Sequence, residues 1–394
     1  MDQLPKQGIV FWPVGCGDST TVVVDRDGEV VVQIDLHHVA ESEDDSDTRT
    51  PIVDELVALL PEPDGKPYLA AFGATHLDKD HIQGFADLLE RVTIGDLWFT
   101  PRVLWEQDQD ELCEDAEAFV DEAERRITKM KAERQVKSGD RIRIIGFSDA
   151  LEGHNDIYKN LPEGAVTTPG TEFHSIDGEE CSEAFRAFVH APFKADAEKE
   201  RNHTSFGLQV TLTAGADTLR VLLLGDLSYP TIKRIFDYSE ADDVAWDVFL
   251  SPHHCSKAVM YGRDEGESED SLKRPLLDKI EQAGSENPYI IASSTTIPES
   301  NEPGDNPPHA KGAKRYRELI PDDNFLCTAE YPSTSAREPI VFEPRADGAT
   351  LAEAAGEPGT RSSATPQAVA TARGASKPAQ AAVGFGGAQR GRTE

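Results

Sequence analysis

The sequence predicts an α/β fold in which helices pack against a sheet. Short apolar segments alternate with helix-like segments along most of the chain, and several apolar segments end in Asp or His. No apolar run approaches the length of a membrane span. A chain of 394 residues has room for one large domain or two smaller ones, with an ample core.

The first part of the chain is expected to contain five strands, at Ile9–Trp12, Thr20–Asp25, Val30–Asp35, Tyr68–Gly73 and Ile94–Thr100. Asp27-Gly28 occupies a hairpin position, and an acidic loop covers Glu41–Asp47. Helices are expected at Pro51–Leu60, with Pro in its first turn, and at Ile82–Arg91.

The second part predicts six more strands, at Ala184–His190, Phe206–Thr213, Leu219–Gly225, Asp247–Leu250, Tyr289–Ala292 and Phe325–Thr328. A long helical pattern at Glu106–Gln135 is acidic first and basic later, the polarity that a helix dipole favours. We interpret 106–170 as a helical and loop-rich insertion in a domain spanning 1–344. Its helix is either structural or a surface for a protein partner. Residues 345–394 have hardly any large apolar side chains and predict a disordered tail.

The formal net charge of −33 limits the classes of partner. So acidic a protein cannot hold nucleic acid non-specifically through counterion release, so a polyanion would have to be gripped locally through metal ions. The charge is equally typical of a highly soluble or salt-tolerant protein. The five scattered cysteines contain no CxxC pair, and the first residues do not form a signal peptide. These features predict a cytoplasmic protein in a reducing compartment.

One short stretch, "ATHLDKDHIQG" from Ala74 to Gly84, gathers four side chains that bind metals. If the loop folds tightly after its strand, His76 and Asp78 can face one cation while Asp80 and His81 face a second. The alternative is that these are capping and surface residues, with Asp80 as the N-cap of the next helix.

Three further segments favour the metal interpretation. Asp226 ends the apolar run "LRVLLLGD", and strand carboxyl ends are where α/β sheets place ligands. His253 and His254 in "SPHHCSK" follow another strand. Because they are adjacent, we expect them to point to opposite sides, so that one binds metal while the other packs or meets substrate. His203 in "RNHTSFGLQV" precedes a strand, although a lone histidine there is more typical of a surface residue.

The order of "VGCGDST", "THLDKDHIQG", "VLLLGDL" and "SPHHCSK" resembles the metallo-β-lactamase superfamily. More narrowly, it resembles the soluble metallohydrolase domain of the DNA-uptake channel protein ComEC and its free-standing relatives. The resemblance runs from about Ile9 to Phe342, and nothing in the chain resembles the channel itself. It implies a four-layer αββα sandwich with a two-metal site at one edge, followed here by the predicted tail.

The resemblance also implies roles for individual residues. The first metal motif matches His76, Asp78, Asp80 and His81, the bridging carboxylate matches Asp226, and the final ligand matches His254 or His253, with His203 loosely near a middle histidine. Acidic residues that orient ligands match Asp18 and Asp35. A late histidine motif, "DNPPHAKG", places Asn306 and His309 toward the substrate, together with Ser256.

The chain departs from the commoner HxHxDH motif at Asp78, which replaces a histidine. The ComEC-like branch also shows aspartate there. A carboxylate in place of an imidazole shifts preference toward Mn²⁺ or Mg²⁺ relative to Zn²⁺ without excluding Zn²⁺. Cys255 stands where that branch often has glycine, and it is interpreted as a small packed residue rather than a ligand.

These features predict a hydrolase with two divalent cations, zinc or manganese, with magnesium also compatible. Phosphodiester hydrolysis, including nuclease-like activity, is the first hypothesis, with Asp80 or Asp226 accepting a proton. Lys257 and His309 would stabilise the transition state or protonate the leaving group. A small ester, lactone or thioester is the alternative substrate, since this fold supports many chemistries. A non-catalytic interaction module is the third reading, and it would require a defective metal site.

Overall fold

Strands of the first half of the chain form one side of a large sheet in the computed structural model. They are β1 Gly8–Phe11, β2 Thr20–Val23, β3 Val31–Ile34, β4 Tyr68–Gly73, β5 Thr93–Phe99, β6 Arg141–Ile145 and β7 Val166–Thr167. They are hydrogen-bonded in chain order. The pairs from β1 to β3 are antiparallel, and those from β3 to β7 are parallel. All five strands expected in this half are present.

The structure describes residues 1–25, 29–44, 46–105, 112–133, 136–147, 160–162, 164–196, 201–264, 266–346 and 348–352. They belong to one unit, Met1–Ala354. The Asp27-Gly28 turn lies outside the described residues, as does most of the predicted tail. The tail was expected from residue 345, but Gly348–Leu351 forms a strand that pairs with Ile340–Arg345. The predicted boundary is therefore too early, because these small and apolar residues extend a hairpin.

The second half of the chain supplies the remaining strands: β8 Glu172–Phe173, β9 Ser175–Ile176, β10 Glu179–Glu180, β11 Phe185–Ala191, β12 Gly207–Ala214, β13 Asp217–Leu223, β14 Trp246–Leu250, β15 Tyr261–Gly262, β16 Ser271–Leu272, β17 Gly284–Ala292, β18 Phe325–Cys327, β19 Pro332–Ser333, β20 Ala336–Arg337, β21 Ile340–Arg345 and β22 Gly348–Leu351. Strands β11 to β13 are antiparallel, whereas β13, β14, β17 and β18 are parallel neighbours. Strand β21 pairs with β1 and contacts β13, so it connects the two halves.

Three hydrophobic clusters show that the two halves stack as layers. Neighbouring residues of one strand face different clusters: Val10 of β1 packs with the first-half helices, while Phe11 packs against second-half strands. In the same way, Val221 of β13 faces the first half, and Leu222 faces the second-half helices. This period-2 alternation places one cluster between the two halves of the sheet and one outside each half. The layer order is helix, sheet, sheet, helix, which confirms the predicted α/β fold.

Apart from the segment Pro252–Cys255, which is treated with the site below, the described α-helices are Ile52–Leu59, Lys79–Ile82, Phe85–Arg91, Arg102–Trp105, Glu114–Ala132, Tyr229–Tyr238, Ala241–Val244, Arg274–Ala283 and Ala310–Arg317. The single helix expected at Ile82–Arg91 is divided in two by Gly84, whose φ is 98°. A side chain at Gly84 would meet Cβ of His38 at 2.6 Å, so this close approach requires glycine. The break turns the chain immediately after His81.

The helix Glu114–Ala132 is part of a strand–helix–strand connection. It buries Phe119, Val120 and Ile127 in the cluster outside the first sheet, and β6 then pairs with β5 in parallel. The sequence analysis did not predict β6, because "RIRII" carries two arginines in five residues. One of them, Arg143, is nevertheless buried and stacks on the Phe173 ring at 4.1 Å. A protein partner for this helix stays a prediction. Within the described residues, no helix is long and apolar enough to cross a membrane.

A buried histidine on β11 should make stability depend on pH. His190 bonds to Ser239 and to the Asp243 carbonyl, and burial lowers the pKa of His190 to about 4. Between pH about 6.5 and 4 the unfolded chain binds a proton that the native chain excludes. The unfolding free energy therefore decreases as the pH is lowered through this range, by up to about 1.4 kcal/mol per pH unit from this group.

We expect His190→Gln to flatten this slope, measured by urea unfolding at several pH values between 5 and 7.5. His174→Gln, at a partly exposed histidine, is the control and should leave the slope unchanged. A wild-type slope in the His190→Gln variant would contradict the assignment, whatever its absolute stability.

Candidate functional site

Five strand termini meet at one edge of the sandwich and supply most of the polar side chains of the candidate site. Asp35 follows β3, and the turn that begins with Thr75 and His76 follows its parallel neighbour β4. Asp226, the 253–254 pair and Ser293 follow β13, β14 and β17, which are also parallel neighbours. Because the carboxyl ends of parallel strands lie together, these separated segments converge. Asp18 joins them just before β2, which runs antiparallel to β3.

The carboxylate of Asp226 lies between two pairs of histidines. Its Oδ1 is 3.3 Å from Nε2 of His81 and 3.6 Å from Nε2 of His254. Its Oδ2 is 3.7 Å from Nε2 of His253 and 3.9 Å from Nε2 of His76. The two oxygens therefore face different pairs of imidazoles.

The aspartates of the 76–81 turn divide between the same two sides. Oδ2 of Asp78 is 3.6 Å from Nε2 of His76, and Oδ2 of Asp80 is 3.1 Å from Nε2 of His254. About a third of each aspartate side chain is exposed, 32% for Asp78 and 35% for Asp80. The solvent-facing rim of the site is therefore acidic on both sides of Asp226.

Three of the histidines have Nδ1 engaged by neighbouring acceptors. Nδ1 of His81 lies 2.8 Å from Oδ2 of Asp35, and Nδ1 of His254 lies 3.1 Å from the carbonyl of Ser293. Nδ1 of His76 contacts two hydroxyls, those of Thr75 at 3.1 Å and Ser205 at 3.3 Å. When Nδ1 carries the proton, the lone pair of Nε2 points toward Asp226, as metal-binding imidazoles require.

The two adjacent histidines reach Asp226 through an unusual backbone. His253, His254 and Cys255 have φ values of 52°, 51° and 67°, so the segment is a left-handed turn and not an α-helix. In an extended chain neighbouring side chains point to opposite sides, which is what the sequence analysis expected. That expectation was wrong, because three successive left-handed residues bring both imidazoles to Asp226, one at each oxygen. Such strained backbone is typical of functional sites.

The electrostatics of the metal-free site favour positive charge at its centre. Burial lowers the pKa of His81, but the carboxylates of Asp226 and Asp35 overcome this and raise it well above the usual value. The same balance, with Asp226 and Asp18 as partners, raises the pKa of His254. Burial raises the pKa of Asp226, but His254 and His81 hold it well below its usual range. The clustered carboxylates therefore favour a positive charge between them.

The donor set fits divalent cations. Asp18, His81, Asp226 and His254 form a buried group whose ligand atoms lie within 4.8 Å of one another. Nε2 of His76 and Oδ1 of Asp226 are buried without a hydrogen bond among the described residues. Buried polar atoms normally have partners, so these two atoms are suited to be ligands of a cation. Imidazole nitrogens with carboxylate oxygens suit Zn²⁺, Mn²⁺ and related ions.

Asp18 and Asp35 each contact an Nδ1 atom rather than an Nε2 atom. Oδ1 of Asp18 is 3.4 Å from Nδ1 of His254, as Asp35 is close to Nδ1 of His81. Asp80, in contrast, contacts Nε2 of His254. We therefore regard Asp80 as better placed than Asp18 to share a cation with His254, although Asp18 belongs to the compact group above.

Asn202 contacts Asp226, while the predicted His203 contacts Ser228. Nδ2 of Asn202 donates to Oδ2 of Asp226 at 3.2 Å, whereas Nδ1 of His203 lies 3.4 Å from the hydroxyl of Ser228. Ser205 then donates to the Asn202 carbonyl at 3.0 Å. The segment "RNHTSFG" thus supplies polar contacts to both sides of the site. The sequence analysis missed Asn202 and Ser205, since neither has the side chain of a metal ligand.

The remaining predicted residues lie around the 253–255 turn. Ser256 is buried and its hydroxyl accepts from the Ala258 amide, while Lys257 is partly exposed. Asn306 is exposed in the irregular segment before the helix Ala310–Arg317. His309 is buried, and both of its ring nitrogens contact backbone atoms, as described below.

His37 is a further histidine that the sequence analysis overlooked. Its Nδ1 is buried without a hydrogen bond among the described residues, and burial lowers the pKa of His37 to about 4. A side chain at Gly17 would meet this nitrogen at 2.2 Å and the Asp80 carbonyl at 2.7 Å. Gly17 therefore allows a neutral imidazole to lie beside the turn that carries Asp80. The adjacent histidines in the sequence "LHH" after β3 were the feature from which a site residue could have been predicted here.

Comparison with known proteins gives a weak structural likeness. No family model matches the chain, and no curated protein sequence matches it. The Rm3 metallo-beta-lactamase is 12% identical with a TM-score of 0.30, covering 62% of this chain and 78% of that one. The metallo-beta-lactamase SMB-1 bound to 2-mercaptoethanesulfonate is 10% identical with a TM-score of 0.31, covering 63% and 78%.

An archaeal metallo-beta-lactamase superfamily protein from Sulfolobus tokodaii is 11% identical with a TM-score of 0.29 over 79% of this chain and 96% of its own. These structural neighbours are metallo-beta-lactamase superfamily proteins. Scores of this size carry no argument about chemistry, which rests on the side chains described above.

Asp35→Asn tests the contact that orients His81. Asp35 has φ of 57°, which Asn tolerates, so the backbone should persist. The new amide would donate to Nδ1 of His81 and move the ring proton to Nε2, the nitrogen that faces Asp226. We expect a roughly 10–100-fold loss of Mn²⁺ affinity, measured by calorimetric titration. Asp44→Asn, at an exposed aspartate, is the matched control. Equal affinity in both variants would refute the role of Asp35.

Proposed function

We propose that this chain is a metal-dependent hydrolase with two cation sites that share Asp226. The observation that carries the proposal is the division of four imidazoles between the two oxygens of Asp226, at 3.3 to 3.9 Å. One site would be held by His76, Asp78, His253 and Oδ2 of Asp226. The other would be held by Asp80, His81, His254 and Oδ1 of Asp226.

Divalent cations bound there would acidify a water molecule and offset the charge that develops on the substrate. The protein supplies the rest of the chemistry. Asp226 is buried and its pKa is held low, so it stays ionised as the shared anion. Asp80 is the better-placed proton acceptor of the two predicted, because its side chain is 35% exposed whereas that of Asp226 is 3% exposed.

Lys257 is the remaining predicted side chain that could stabilise a leaving group by its positive charge. It lies two residues after the turn His253–Cys255, and it is partly exposed. His309 was the other predicted proton donor, but its ring is buried and both nitrogens contact backbone atoms. We therefore assign leaving-group stabilisation to Lys257.

We propose a phosphodiester as the substrate class, including nuclease-like activity on nucleic acid gripped locally through the cations. A pair of sites around one carboxylate suits stabilisation of both the attacking and the leaving oxygen of a phosphoryl group. The finer resemblance to ComEC-like metallohydrolases supports the same substrate class. A cytoplasmic location and a role of Asn306 and Ser256 in binding substrate belong to this proposal as well.

The acidic charge favours a second candidate. The chain has a net charge of −33, and the partly exposed Asp78 and Asp80 lie at the rim of the site. A neutral ester, lactone or thioester would approach such a site without long-range repulsion. The two candidates share the cation sites and differ in the reacting bond. Comparing substrates at one metal concentration separates them.

Hydrolysis of bis-p-nitrophenyl phosphate in Mn²⁺ should be measurable for the native chain. The double variant His76→Ala/Asp80→Ala removes one ligand from each site and should lose roughly 10³-fold in rate. His174→Ala/Asp44→Ala makes the same changes at two surface residues and should keep full activity. Nucleic acids, cyclic nucleotides, a lactone and a thioester complete the panel.

Two results would count against the proposal. Turnover by the double variant equal to that of the native chain would exclude the described site. Binding of fewer than one Mn²⁺ or Zn²⁺ ion per native chain in elemental analysis would favour a non-catalytic interaction module. Turnover of the lactone or thioester alone would select the second candidate.

A further inference from the structure

We propose that His309 is a positioning residue that holds the left-handed turn His253–Cys255 in place and does not transfer protons. This inference rests on the proposed function, in which His253 and His254 each bind a cation. It assigns to His309 a role different from the proton donor that its position in a late histidine motif suggested.

Three hydrogen bonds connect His309 to backbone atoms, and two of them are at the end of the turn. Its amide donates to the carbonyl of Cys255 at 3.2 Å, and its Nδ1 accepts from the amide of Lys257 at 3.2 Å. Its Nε2 lies 3.1 Å from the carbonyl of Asp305 and donates to it. Because a backbone amide can only donate to Nδ1, the proton of the neutral ring must be on Nε2.

These contacts leave no ring nitrogen free to act on a substrate. Nδ1 is occupied by an amide of the segment that follows the turn, and Nε2 is occupied by the Asp305 carbonyl. The ring is also 5% exposed. A proton donor would have to break the Nε2 bond and reach solvent, whereas a clamp needs the contacts that are present.

The turn needs such a clamp because its backbone is strained. Side chains with positive φ are disfavoured, and here three residues in succession adopt it. Histidine adopts positive φ more readily than most residues, but Cys255 does not, so a run of three such residues needs support from outside the turn. The His309 contacts hold the end of the turn, at the carbonyl of Cys255 and at the amide of Lys257 just beyond it, and oppose its return to an extended form.

The surroundings of His309 brace it on both sides. The side chain of Asn301 donates to the Pro308 carbonyl at 3.1 Å and accepts from the Ala310 amide at 2.7 Å. One turn along the helix, a side chain at Gly312 would meet the Cys255 carbonyl at 2.6 Å. Gly312 thus allows the helix to approach the turn directly, so the segment 301–312 forms a rigid support under it.

Replacing His309 with Asn, Gln or Ala tests the proposal. In His309→Asn, Oδ1 occupies the place of Nδ1 and can still accept from the Lys257 amide. In His309→Gln and His309→Ala that acceptor is displaced or absent. We expect about 10–100-fold weaker Mn²⁺ binding for Ala and Gln, and less than about threefold weakening for Asn. Hydrolysis at saturating Mn²⁺ should follow the same order.

Hydrogen exchange of the peptide covering 251–260 provides a readout that needs neither metal nor activity. In the metal-free protein, His309→Ala should accelerate exchange of this peptide at least tenfold, whereas His309→Asn should stay close to the native rate. Gly312→Ala should act like His309→Ala by pushing the turn away, with Lys311→Ala at an exposed position of the same helix as its control.

The outcomes are distinct. If His309→Asn binds Mn²⁺ normally but loses hydrolysis as completely as His309→Ala, His309 is a catalytic residue and the positioning role is wrong. If exchange of the 251–260 peptide is unchanged in all His309 variants, the clamp does not exist. If the native chain binds no metal while the exchange pattern is as expected, the proposed function fails and the structural role of His309 stands.

Discussion

The site depends on one electrostatic constraint, which is that both oxygens of Asp226 face imidazole nitrogens inside a buried environment. Carboxylates and imidazole lone pairs repel one another at these distances unless positive charge lies between them. In the metal-free chain the neighbouring carboxylates raise the pKa values of His81 and His254, which favours positive charge there. Divalent cations would displace protons and supply this charge with a fixed geometry. The other residues of the site hold the carboxylate and imidazole atoms in the same positions, whether the positive charge comes from protons or from divalent cations.

The fold meets this constraint by using strand ends for placement and hydrogen bonds for orientation. Parallel strands in each sheet bring their carboxyl ends to one edge, so residues far apart in sequence become neighbours. Acceptors then fix Nδ1 of three imidazoles, through Asp35 for His81, Ser293 for His254, and hydroxyls for His76. The left-handed turn adds the fourth imidazole, at a cost in backbone strain that the surrounding contacts offset.

The charge of the whole chain and the charge of the site act at different ranges. A net charge of −33 repels anions from a distance, and this repulsion is screened by salt within roughly a Debye length, about 8–10 Å. Two buried cations would act at contact range, where screening is weak. An acidic protein can therefore bind an anionic substrate if the binding contacts are local. Its net charge does not steer that substrate toward the site over long distances.

Most of the residue types in the site, and the strands that carry them, could be predicted from the sequence. The spacing of the 76–81 turn, the carboxylate after "LLLG" and the paired histidines after β14 all predicted their places at strand ends, because apolar runs followed by ligands are readable locally. The same applies to the α/β alternation. Strand β6 was not predicted from the sequence. Its Arg143 is buried because it stacks on Phe173, and this contact forms only in the folded structure.

Which of these residues meet, and how they are oriented, depends on the tertiary fold. In the fold Asn202 contacts Asp226, and both His253 and His254 face that same carboxylate. The fold also turns both ring nitrogens of His309 to the backbone. Each of these outcomes depends on backbone dihedrals and on hydrogen bonds between segments distant in sequence. Such contacts cannot be predicted from the residue types and spacing of any single segment. The contacts form only when the two halves of the sheet pack together.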